Sequence, residues 1–360
     1  MANWLSLFSF VNILFLNNLW FFCIQVVPFK NRIMKRFIIF LTLLFNLTIS
    51  AQDKYGKYTE ARYGKLEYGF FIPDNYDKTK LYPVVVYLHG FGNNQYVYLD
   101  WYRKDIQEKN PCFVFAPRTP PEWADWSGWN DKNLSEPMIA AMHVLDSLTK
   151  QYSIDKNRLY VYGISMGGEG VFDLLHKLPG KFAAAMSVCG GGQANWAANI
   201  AKTPLWMFHG SADNINPPDL TERVYNELVK IGAKKMRYTK YIGAGHDIWD
   251  DAAAEPAWFD WMFAHSLKNK TCAKPAGKIL LTVSGKNRNE LTWTNPWKNN
   301  KQPNKIWFYE IYNGNEVFAT VESDKTSIVI DPSKVKGLFS VVAVNYCFAK
   351  SEPSNTIDFR

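Results

Sequence analysis

Five short segments of the chain are apolar almost without interruption, and they limit its architecture more than any other feature. They read "PVVVYLHG" (83–90), "CFVFAPR" (112–118), "RLYVYGIS" (158–165), "FAAAMSVCGG" (182–191) and "PLWMFHGSAD" (204–213). A strand with one wet face alternates apolar and polar residues. A run with no polar face needs cover on both sides, as strands of a parallel sheet have. The stretches between them supply that cover. In "LSEPMIAAMHVLDSLTKQY" (134–152), Met138, Ala141, Leu145, Leu148 and Tyr152 recur three or four residues apart, a helical stripe. Residues 167–178, 217–231 and 252–265 read the same way, and "KLEYGFFIPDNY" before them reads as an antiparallel edge strand. Strands and helices in alternation predict an α/β fold around a mostly parallel central sheet.

The texture changes after residue 270. "ILLTV", "ELTWT", "IWFYEIYNGNEVFATV", "TSIVI" and "FSVVAV" are separated by Gly, Asn, Pro and Ser and show no helical period. Asn313-Gly314 between two alternating runs predicts a hairpin. A small β-sandwich over 278–360 is expected, joined by a linker at 269–277 to the α/β part at 52–268. Ahead of both, "MKRFIIFLTLLFNLTISA" (34–51) has the layout of a secretory signal peptide: Lys35 and Arg36, an apolar run, then small residues before Gln52. Residues 1–33 are apolar without a charged start and read as an upstream extension ahead of a true start at Met34; a membrane anchor is the other reading. Removing the leader lowers the net charge from +8 to +4, because it carries four basic residues and no acidic one. No basic stripe remains, so nucleic acid is not an expected partner. The mature chain is expected outside the cytoplasm, secreted or periplasmic, with no stable membrane insertion. Four cysteines remain after cleavage, with no CxxC pair to suggest zinc; Cys112 and Cys189 sit in apolar runs as buried thiols.

Chemistry concentrates at Gly163-Ile-Ser165-Met-Gly167, where a buried strand meets a helix. A serine on so sharp a turn needs small neighbours two residues to either side, and glycine supplies them. The alternative is an ordinary turn with Ser165 as a helix cap. Chain order decides between them. "YIGAGHDIWDD" places His246 in a glycine-rich loop after the last strand candidate, and "MFHGSADNINPP" places Asp213 after the strand before. A serine is a weak nucleophile without a base, and the base needs a partner to fix its tautomer. Asp213 is the first choice for that partner, with Asp219 and Asp250 as alternatives. In "YLHGFGNN", the backbone N–H of Phe91 or Gly92 could join that of Met166 to hold an oxyanion. The other histidines, His89, His143, His176, His209 and His265, read as structural.

These segments, with "YVYGISMGGEGVFDLL" and "YIGAGHDIWDDA", resemble the α/β-hydrolase esterases related to carbohydrate esterase family 1 and the prolyl-oligopeptidase-like "predicted peptidase" group over about residues 60–266. The resemblance implies Ser165 as nucleophile, His246 as base and Asp213 as acid. The C-terminal part resembles a fibronectin type III module, with Phe339 where that family carries its corner tyrosine. That resemblance implies a Cys272–Cys347 disulfide, since it brings the start of the first strand beside the last turn.

"RTPPEWADWSGWNDKN" (118–133) carries three tryptophans among polar residues in a loop of the expected active-site edge. Trp123, Trp126 and Trp129, with Trp249 three residues after His246, are candidates to stack on a sugar ring or an aromatic acyl group. A rigid loop filled by its own aromatics is the competing reading. The expected activity is hydrolysis of acyl esters on small molecules or plant polysaccharide, acetyl or feruloyl groups among them, with no metal or organic cofactor. A serine peptidase is the second reading and a non-catalytic glycan-binding protein the third.

Overall fold

The computed structural model describes residues 13–16, 19–22, 57–92, 99–120, 125–129, 132–268, 273–285, 289–297, 299, 305–331 and 333–359. The chain divides into two compact units, Met1–Lys54 and Tyr55–Arg360. In the first, the antiparallel hairpin of β1 (Ile13–Leu16) and β2 (Leu19–Phe22) is described. The expected signal peptide at 34–51 lies outside the described residues. Among the described residues, no helix is long and apolar enough to cross a membrane.

The second unit is built on an eight-stranded sheet. Its strands are β3 (Lys57–Tyr63), β4 (Leu66–Ile72), β5 (Tyr82–Leu88), β6 (Phe113–Arg118), β7 (Ile154–Ile164), β8 (Ala184–Val188), β9 (Leu205–Gly210) and β10 (Met236–Tyr241). They lie in the order β10-β9-β8-β7-β5-β6-β4-β3. From β6 through β10 every pairing is parallel, and β4 joins β6 and β3 antiparallel. The five apolar runs are the five central parallel strands. In β5, Val84, Val86 and Leu88 face one core while Val85 and Tyr87 face another, the period-two split of a strand covered on both sides. Helices Glu136–Gln151, Met166–Lys177 and Asp219–Lys230 send Met138, Leu145, Leu174 and Val224 into the first core.

Two sequence expectations change. "KLEYGFFIPDNY" supplies β4, which is interior: the more polar β3 pairs outside it and takes the edge. Residues 252–265 are not one helix but two, Trp249–Ala253 and Trp258–Phe263. Pro256 lies between them, and proline has no N–H to continue a helical ladder.

The C-terminal region forms a three-stranded sheet, β11 (Leu281–Ser284), β12 (Glu290–Trp293) and β15 (Ser327–Val329). A four-stranded sheet holds β14 (Glu316–Glu322), β13 (Ile306–Asn313), β16 (Gly337–Asn345) and β17 (Ile357–Phe359). Leu281 and Leu291 from one sheet share a core with Tyr309, Val341 and Phe359 from the other. The predicted hairpin is present, but its two turn residues are Gly314 and Asn315, since Asn313 still pairs with Glu316. Gly314 takes φ +61° at the first turn position, where glycine is favoured.

The second face of the large sheet is closed by this region. Trp206 and Phe208 of β9, with Trp258 and Trp261, share one core with Trp307, Phe308, Val344 and Tyr346. Trp206 and Trp307 meet edge to face at 4.6 Å. The Arg237 guanidinium lies 4.6 Å from the rings of both Trp307 and Phe308 and pairs with Glu322. The two parts are therefore packed against each other rather than tethered.

Candidate active site

Ser165 follows β7 and precedes helix Met166–Lys177, at φ 51° and ψ −121°. That conformation costs a non-glycine residue about 1–3 kcal/mol. It is held by the Ser165 N–H donating to the Val188 carbonyl and by the Ser165 carbonyl accepting from Glu169 N–H. Both flanking glycines are needed for space. A Cβ on Gly163 would lie 2.2 Å from the Gly167 carbonyl oxygen, and one on Gly167 would lie 2.0 Å from that of Leu88. The second contact seats the helix start against the end of β5, at Leu88 and His89.

Three side chains from the carboxyl ends of three strands meet there. The Ser165 hydroxyl lies 2.9 Å from His246 Nε2, and His246 Nδ1 lies 2.6 Å from Asp213 Oδ2. The other carboxylate oxygen of Asp213 accepts the backbone N–H groups of Ile215 and Asn216, each at 2.9 Å. Burial pushes the Asp213 carboxyl up, but the His246 hydrogen bond and the two amides outweigh it and hold it below the usual carboxylate value. A carboxylate that stays ionised fixes the proton of a neutral imidazole on Nδ1 and leaves Nε2 free to accept from the serine. Asp219, an alternative on sequence grounds, pairs instead with Arg223.

Met166 opens its helix, so its N–H has no partner within the helix. Phe91 is 78% exposed, and Gly92 takes φ +89° with open space around a would-be Cβ, so conformation and not crowding asks for glycine.

The four tryptophans part company. Trp123 lies outside the described residues. Trp126 is fully buried, its Cβ against Gly170 and its indole N–H given to the His89 carbonyl, so it is core and not a substrate platform. Its polar neighbours in sequence hid that role. Trp129 is partly exposed at φ 45°, with its carbonyl held by Gln193 and its ring against Trp196. Trp249 stands at 90° to the His246 ring, centroids 5.2 Å apart.

Three further groups escaped the sequence reading. His209 Nε2 lies 2.8 Å from the Asn216 carbonyl and 3.2 Å from Asp213 Oδ2, both acceptors, which places its proton there. Its ring thus steadies the Asp213 loop, and only its fourth-residue spacing from Asp213 could have signalled this. Glu169, one turn into the helix from Ser165, is pushed up to about 7 by burial and then by Asp125; Asn216 and Trp129 hydrogen-bond it. A lone carboxylate in a glycine-rich helix start was its signal. Cys189, a buried free thiol at φ 49°, donates to the His246 carbonyl at 3.1 Å. Burial pushes it up to about 12, so it stays a neutral thiol. Of the remaining cysteines, Cys347 is disulfide-bonded and Cys272 lies outside the described residues.

The chain is 24% identical over 135 residues to a bifunctional acetylxylan esterase/xylanase of Neocallimastix patriciarum, covering 37% of this chain and 19% of that protein. It thus spans about a fifth of that relative's length. Among solved structures it is similar to a thermostable esterase, at 29% identity and a TM-score of 0.54, over 59% of this chain and 63% of the other. It is also similar to dipeptidyl peptidase 4 of Porphyromonas gingivalis, at 17% identity and a TM-score of 0.47, over 58% and 35%. The phospholipase/carboxylesterase family profile matches residues 75–259, half of the chain and the part that holds Ser165, Asp213 and His246. The chain belongs to that family and has the α/β-hydrolase fold.

Proposed function

We propose that the protein is an exported carboxylesterase that removes acyl groups, acetyl or feruloyl among them, from plant polysaccharide. The observation that carries the reading is the run of two short contacts, Ser165 to His246 and His246 to Asp213. His246 takes the Ser165 proton as the hydroxyl attacks the ester carbonyl. The N–H groups of Met166 and of Phe91 or Gly92 receive the oxyanion. The alcohol leaves with the proton from His246, and water attacks the acyl-enzyme with the same base. Asp213 remains ionised throughout and stabilises the imidazolium.

The acetylxylan relative and the partly exposed Trp129 and Trp249 support a polysaccharide ester as substrate. The sandwich is read as a fibronectin type III-like module fixed to the enzyme, closed by a Cys272–Cys347 disulfide. Cys347 being disulfide-bonded supports that pairing. Export rests on the layout of residues 34–51.

Ser165→Ala is expected to lower turnover by on the order of 10⁶ while the fold persists by circular dichroism. A fluorophosphonate should label the wild type and not the variant. Acetylated and feruloylated xylo-oligosaccharides, assayed beside peptide amides, test the substrate. Faster cleavage of amides than of any ester would replace this reading with a peptidase.

A further inference from the structure

Cys189 has no part in the ester chemistry, yet it stands at φ 49°, a conformation that favours glycine, and is followed by three glycines. A thiol is thus kept where the backbone asks for no side chain at all, and backbone strain of this kind collects at functional positions. Its sulfur, a ligand atom of His246 and a carboxylate oxygen of Asp213 all lie within 4.8 Å of one another. Thiolate, imidazole and carboxylate at such spacing form a donor set for a soft or borderline divalent cation, with bonds of about 2.0–2.3 Å to zinc. Tetrahedral bonds of that length hold ligand atoms about 3.3–3.7 Å apart. A donor at the outer limit must therefore close in by roughly 1 Å while His246 Nδ1 and Asp213 Oδ2, now 2.6 Å apart, must open, both within reach of side-chain rotation.

We propose that Cys189, Asp213 and His246 form an inhibitory binding site for Zn²⁺ and similar thiophilic cations. The balance of charge suits a buried position: a dication meets one thiolate and one carboxylate. Binding forms bonds from the metal to Cys189 Sγ, Asp213 Oδ2 and His246 Nδ1, with water as the fourth ligand. The thiol proton goes to solvent. The imidazole proton leaves Nδ1 and settles on Nε2, so no proton is gained or lost by the ring. That shift is the switch. Nε2, which faces Ser165 Oγ at 2.9 Å, changes from acceptor to donor and can no longer take the serine proton. Asp213 is drawn off the ring at the same time. The site itself rests on geometry; its inhibitory effect rests on the hydrolase reading above.

The test uses the full chain in metal-free buffer, with ester hydrolysis titrated against Zn²⁺. Each protein is referenced to its own metal-free rate. Wild type is expected to be inhibited at a Zn²⁺ concentration at least roughly tenfold below that needed for Cys189→Ala. Mg²⁺ should spare both, and a chelator should restore the wild type. Cys189→Gly, which suits the positive φ, serves as the second variant. Co²⁺ added to wild type should give a near-ultraviolet thiolate-to-cobalt band that both variants lack. Equal Zn²⁺ sensitivity in wild type and variants, or a cobalt spectrum without that band, overturns the proposal. The spectrum needs no turnover, so a protein that shows the band but hydrolyses no ester refutes the hydrolase reading and leaves the site standing.

Discussion

At their carboxyl ends, β7, β8 and β9 lead into Ser165, Cys189 and the Asp213 loop. At their amino ends the same sheet leads into a cleft of about 530 Å³ lined by Ala183, Pro204, Lys235, His265 and Cys347. The first rim holds three of the four non-glycine residues with positive φ among those described, Trp129, Ser165 and Cys189, and its polar side chains are bonded to one another. The second rim shows the reverse. His265 Nε2 and Thr203 Oγ1 are buried without a hydrogen-bond partner, and burial, then Lys235, push His265 down to about 3. Its ring serves as an aromatic plate between Trp261 and Phe348. One rim spends stability on placing protons; the other and the adjoining sheet face gain stability by burying rings.

The contrast sets which changes should alter rate and which should alter folding. Asp213→Asn should lower kcat by on the order of 10⁴ with little change in melting temperature, because the geometry survives and the tautomer does not. Trp307→Ala should do the opposite, costing about 3–5 kcal/mol in urea unfolding while the folded fraction keeps its kcat. Arg237→Met removes a cation held over three rings, and a loss of about 2 kcal/mol or less is expected, again without a change in rate. Glu169→Gln gives an effect on stability that depends on pH. A carboxyl raised from 4.5 to about 7 binds its proton more tightly folded than unfolded. Its contribution is therefore full below pH 4.5 and is lost as pH rises through 7. The variant's melting temperature should fall less than wild type's between pH 5 and pH 8. A rate defect in Trp307→Ala, or a large stability defect in Asp213→Asn, would break the division between the two regions.

The central strands were legible because burial on both faces leaves an unmistakable run of apolar residues, as in Tyr82–Leu88. Ser165, His246 and Asp213 were legible because strand ends and glycines mark where a sheet's carboxyl edge falls. What escaped was tertiary. Nothing in the polar company of Trp126 says that its Cβ will sit where a side chain on Gly170 would be, and nothing in β4 says that a more polar strand will pair outside it. His209 reads as a buried strand residue until the loop folds back and brings Asp213 to its ring. Local pattern reports which face is covered, and it is silent about what does the covering.

The shared aromatic core has a consequence for anyone trimming the chain. A fragment ended near residue 268 to isolate the enzyme would lay Trp206, Phe208, Trp258 and Trp261 open to water along one flank of the sheet. Such a fragment should clump during expression even with Ser165, Asp213 and His246 untouched, and a protease cutting at 269–271, ahead of Cys272, would leave the halves adhering until denaturant parts them.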